Sequence, residues 1–189
     1  MQKLKEFFNH CVEQFLVSAQ YSGIIRPDEI NTAHSIINES LQGIEFADIP
    51  GHAQVIGKRL EINKDFREMV ENSKSFDDNV FDEKFTGTSG FEFDSIKKVL
   101  FHEILHLLQR GAGFEEIYRH ESKFGPQLPP IFLGGGVDES VAQIGQEHIW
   151  LEYLRKIKGI EEAEIVQIEV KPGLFVPCAV ASPDNQNPS

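Results

Sequence analysis

Ser95-Ile-Lys-Lys-Val-Leu-Phe-His-Glu-Ile-Leu-His-Leu-Leu-Gln-Arg110 is the stretch around which this chain is organised. Ile96, Val99, Leu100, Ile104, Leu107 and Leu108 would make most of a helix's surface apolar, so the spacing predicts a largely buried helix. Asp94 or Ser95 can cap its start, and Gly111 and Gly113 can stop it. Inside it lies His102-Glu103-Ile104-Leu105-His106. On a helix, His102 and His106 stand one turn apart on the same face, so both imidazoles reach one metal ion. Glu103 is rotated by about 100° around the axis, where it cannot join them as a ligand but can act on a water at the metal. Chance supplies this pattern about 0.03 times in a chain of this composition. Two histidines and a glutamate on a buried helix also need polar partners. The stretch therefore predicts a catalytic zinc site.

Working outward, the 189 residues fit one domain with a sizeable core, expected over 1–181, with 182–189 as a disordered tail. A net charge of −12 excludes the basic face that nucleic-acid binding needs. It favours solubility, and substrates or partners with a basic patch. Cys11 and Cys178 are too few for a disulfide framework and wrongly spaced for a cysteine zinc site, so two separate buried thiols are expected. No apolar run approaches the length of a membrane span. Glu6, His10 and Glu13 interrupt any signal-peptide core. The expected location is cytoplasmic, or exported without a recognisable cleavable signal.

The remaining periodicities predict an α+β fold. Leu4, Phe7, Phe8, Cys11, Val12, Phe15, Leu16 and Ala19 mark an amphipathic helix over 3–20. Pro27 and Asp28 open a second helix that stops at Gly43. A short strand at 44–47 precedes a strand pair over 53–62 that turns at Gly57-Lys58, and a short helix follows over 63–70. Residues 72–93 read as a polar loop pinned by aromatics, with Asp77-x-Asn79 too incomplete for a calcium loop. After a long connection over 111–136, a second long helix is expected from Val137 to Lys158, then a strand at 165–170.

Catalytic zinc takes three protein ligands and keeps a fourth position open. A metzincin would continue the motif as H-x-x-G-x-x-H, but here Gln109 stands at the glycine position and Ala112 at the last histidine position. The downstream G-T-x-x-D of an aspzincin is missing. Glu139, 33 residues after His106, is the best third ligand. A connection of that length lets the second helix pack back on the first. Ala142 and Gly145 permit close approach, and Gln143 is placed to hydrogen-bond a ligand histidine. His120 and Glu121 are the alternatives, and Asp138 and Glu139 also suit a helix's first turn without any metal.

H-E-x-x-H followed by a helix bearing Glu139-x-x-Ala142 resembles the gluzincin clan of zinc metallopeptidases over about residues 95–158. Where thermolysin-like members carry Asp four residues after the ligand glutamate, this chain has Gln143. The resemblance implies a single zincin-like domain with one Zn2+ held by His102, His106 and Glu139. It implies peptide-bond hydrolysis through a zinc-activated water with Glu103 as general base. Tyr118, His120 or Tyr153 is then expected to stabilise the oxyanion. The resemblance also implies an edge strand that pairs with a protein or peptide substrate, for which Gly57–Ile62 is the natural segment. A processing protease and a toxin- or effector-like protease fit equally. The rival expectations are a zinc-binding regulatory module that cleaves nothing, and a hydrolase of non-peptide amides.

Overall fold

In the computed structural model the described residues are 2–77, 93–111 and 131–181; for 93, 110–111 and 131–140 the description is of backbone alone. The fold is α+β. Helix α1, Gln2–Tyr21, buries the eight apolar positions that its spacing singles out. It packs against α2 (Ile30–Ser40), α3 (Arg67–Asn72), α4 (Phe93–Gly111) and α5 (Ile131–Glu152). α1 is thus a core helix. Helix α2 follows a 3-10 turn, Pro27–Glu29, and ends three residues before the expected stop, because Gly43 opens a strand instead. No helix among the described residues is long and apolar enough to cross a membrane.

Strands β1 (Gly43–Ala47), β2 (Ala53–Ile56) and β3 (Arg59–Asn63) form a sheet in the order β1-β3-β2. β1 runs parallel to β3, and β2 antiparallel to it. The expectation that Gly57–Ile62 forms an edge strand is corrected here. Gly57 (φ 60°) and Lys58 make the turn, and β3 is hydrogen-bonded on both sides. The edge strand beside α4 is β2. Asn63 N–H donates to the His52 carbonyl at 2.9 Å. By antiparallel alternation, Gln54 and Ile56 also direct their backbone groups at β3, whereas Ala53 and Val55 direct theirs away from it.

Helix α5 begins at Ile131 rather than Val137, so Gly134–Gly136 lie inside it rather than in an approach loop. Each interior glycine costs about 1 kcal/mol relative to alanine, which is why local propensity places the start later. The helix continues into a π turn, Tyr153–Ile157. A hairpin of β4 (Glu164–Lys171) and β5 (Leu174–Val180) completes the described chain, turning at Pro172-Gly173 (φ 79°). β5 is legible only in the structure, because Pro177 argues against a strand. Cys11 and Cys178 are both free, the first buried and the second half-buried.

α4 and α5 pack closely where side chains are small. Ala142 is fully buried, and a Cβ on Gly145 would lie 3.3 Å from Leu105 Cδ1. Deeper in, Phe15, Trp150 and Tyr153 meet the Phe101 ring edge-on at centroid distances of 5.5–5.7 Å. Gly145→Val, with its branched Cβ against Leu105, is expected to destabilise the fold by about 1–3 kcal/mol through overpacking. Urea unfolding checks this, and an unchanged midpoint would show that the crossing has room to spare.

Candidate metal centre

α4 carries His102, Glu103 and His106 near its middle, each half-buried. The two imidazole Nε2 atoms are 3.0 Å apart, with the rings nearly perpendicular at 84°. Two nitrogens about 2.05 Å from one tetrahedral zinc are about 3.3 Å apart, so this pair fits a shared ion after a few tenths of an ångström of adjustment. His106 Nδ1 lies 3.2 Å from Gln109 Oε1. With that oxygen as acceptor, Nδ1 holds the proton and Nε2 keeps its lone pair toward His102. In the absence of a cation, the same 3.0 Å separation suits an N–H···N bond, so a metal would replace a proton there.

Glu103 is turned away from the pair and toward the sheet. Its Oε2 accepts the Val55 N–H at 2.9 Å, a contact between the motif helix and the outer edge of β2 in the described sheet. Nothing in the sequence marks Val55, because the contributing group is backbone.

The other expected site residues separate into three groups. Glu139 lies on α5, more than two turns inside the helix. No acid stands in α5's first turn, so helix-terminus electrostatics does not account for Asp138 or Glu139. The Glu139 side chain, like Tyr118, His120 and Glu121, lies outside the described residues, and so do Asn79 and the tail from 182 to 189. Among the described residues no cluster of three or more His, Cys, Asp or Glu is assembled. Gln143 is described, and its amide N–H donates to Glu147 Oε1 at 3.2 Å rather than to a histidine. Tyr153 is corrected: it is fully buried, and its hydroxyl donates to Asp94 Oδ1 at 2.9 Å while accepting from Lys97. Asp94 lies about 12 Å along the helix axis from His102, so this hydroxyl serves the helix start and not an oxyanion.

That helix start contains a polar network which the sequence does not announce. Lys97 is 0% exposed, and its ammonium meets Asp77 Oδ1 at 2.9 Å and the Tyr153 hydroxyl at 3.3 Å. Asp77 also receives Gln14 Nε2 at 2.7 Å and lies 3.0 Å from His10 Nε2, which binds α1 to the segment after α3. Lys158 reaches Asp94 at 3.2 Å. Partial burial works against the Asp77 charge, but hydrogen bonds from Lys97, His10 and Gln14, with the charge of Lys97, outweigh it and hold the carboxyl well below its ordinary range. Burial, then the Asp94 charge, pushes the Tyr153 phenol up. Burial likewise raises the Cys11 thiol, with Lys97 opposing it, so Cys11 is no nucleophile near neutrality.

A buried carboxylate braces the other side of α4. Glu147, 2% exposed, accepts the Ala179 N–H at 2.7 Å and pairs with Lys98 at 2.8 Å. Gln146 Nε2 donates to the Lys98 carbonyl at 3.0 Å. In an α-helix that carbonyl is also the acceptor for the His102 N–H. α5 therefore supports the turn that carries the first histidine, and Glu147 links α4, α5 and β5.

Because the Asp77 carboxyl is depressed in the fold, its contribution is full above the unfolded value of about 3.9. It is lost as pH falls through the folded value. Asp77→Asn is expected to cost about 1–2 kcal/mol at pH 7, discounted because the carboxylate is half-exposed. The gap from wild type should narrow below about pH 3.9. Thermal unfolding at both pH values checks this, and an equal gap at each would remove the charge from the account.

No protein-family model, no curated protein and no solved structure matches this chain.

Proposed function

We propose that this chain is a zinc-dependent metallopeptidase, a zincin-like domain of gluzincin type. One observation carries the reading: two imidazole Nε2 atoms 3.0 Å apart on a buried helix, with Glu103 next to His102 in the chain and its carboxylate held by the outer strand β2. A structural zinc site closes its fourth position and has no use for a carboxylate placed in this way. His102, His106 and Glu139 would hold the ion. When bound, zinc polarises a carbonyl and lowers the pKa of water from 15.7 toward about 7.

The chain's own residues supply the rest. Glu103 takes the proton of the attacking water and delivers it to the amine nitrogen as the peptide C–N bond breaks. Gln109 orients the His106 ring and fixes which nitrogen is available. Edge strand β2 offers outward N–H and C=O groups to an extended peptide, which would lie along it as an added strand. The acidic net charge of −12 favours substrates that carry a basic patch.

Glu103→Ala is expected to keep one zinc per chain by elemental analysis while abolishing cleavage in a proteome-wide assay. Full activity in that variant would sink the general-base role, and zinc without any cleavage in the wild type would favour the regulatory-module reading. Glu139→Ala should weaken zinc binding by about 100-fold or more, and Gln109→Ala by about 10–100-fold, both read by chelator competition. Unchanged affinity in Glu139→Ala would transfer the third position to His120 or Glu121.

A further inference from the structure

We infer that Val55 is the positioning residue for Glu103, acting through its backbone N–H, and that this N–H on the outer edge of β2 is kept for the base and not for the substrate. The inference rests on the metallopeptidase reading. Ala53 and Val55 are the two residues of β2 whose backbone groups face away from β3. Of these, Val55 gives its N–H to Glu103 Oε2 at 2.9 Å. A glutamate on a helix has three side-chain torsions to fix, and a charge-assisted bond from a strand amide fixes one carboxylate oxygen. The donor is itself immobile, because Gln54 and Ile56 on either side of it are paired with β3.

The same bond constrains the substrate. A peptide adding along β2 seeks alternating N–H and C=O groups from the outward-facing residues. Val55 can offer its carbonyl, but its N–H is already engaged. Ala53, the other outward-facing residue of β2, is buried in the core. A peptide register that captured the Val55 N–H would displace the base from its seat and bind unproductively. Productive binding leaves the Val55 N–H to Glu103, so the strand edge selects register as well as direction.

Two measurements test this separately. Amide hydrogen exchange at Val55 is compared in zinc-free wild type and zinc-free Glu103→Ala, so that neither activity nor metal enters. Exchange is expected to be at least about tenfold faster in the variant; equal rates would overturn the inference. Val55→Pro then removes the N–H on an edge whose N–H faces away from the ladder, where proline is tolerated. With folding and zinc stoichiometry retained, kcat should fall by about 10–100-fold while KM stays within about twofold. A raised KM with kcat intact would assign the N–H to the substrate and overturn the inference. Should Val55→Pro fail to fold, the exchange comparison still decides. If the wild type binds no zinc and cleaves nothing, the metallopeptidase reading fails by itself, and the exchange rates still report whether Val55 holds Glu103.

Discussion

A helix that carries Lys97, His102, Glu103 and His106 cannot be buried as an ordinary apolar helix, and α4 is buried along most of its length. Each polar group taken from water must find a partner or forfeit several kcal/mol, on the order of 1–3 for a neutral group and more for a charge. The surrounding elements are arranged to meet that demand. Asp77 and Tyr153 receive the Lys97 ammonium. Gln109 takes the His106 ring N–H, and the edge of β2 receives Glu103. The two Nε2 atoms are turned toward each other, and a single cation can serve both.

Those partners come from distant parts of the chain, which explains the topology around α4. α1 contributes Gln14 and His10 through Asp77, the small sheet contributes Val55, and α5 contributes Gln146 and Glu147. The apolar packing around Phe101 supplies most of the cohesion. The polar contacts decide how α4 is rotated within it. A rotation that improved the burial of Val99 or Leu108 would strip Lys97 of Asp77 and Glu103 of Val55.

The sequence shows most of the fold and the centre of the site, and for a clear reason. Helical spacing in α1 and α4 and the Gly57-Lys58 turn are local signals, and the apolar face of α1 is the one buried. That His102 and His106 share a face of α4 is legible because the spacing of side chains on a helix is fixed by its pitch. What is not legible depends on tertiary pairing. Strand order moved the edge from β3 to β2, and the Gly134–Gly136 run hid the true start of α5. Tyr153 looked like a site hydroxyl and is a buried partner of Asp94 and Lys97. Lys97 reads as a surface charge, and the Val55 contribution has no side-chain signature at all.

Glu147 gives the molecule a particular order of assembly during synthesis. Its carboxylate needs the Ala179 N–H as well as Lys98, and β5 leaves the ribosome after both helices. Until then α4 and α5 share a buried acid with one partner missing, and the turn bearing His102 lacks its full brace. The turn bearing His102 is therefore fully braced only once β5 has been made, so a nascent chain holds the motif before it holds the geometry.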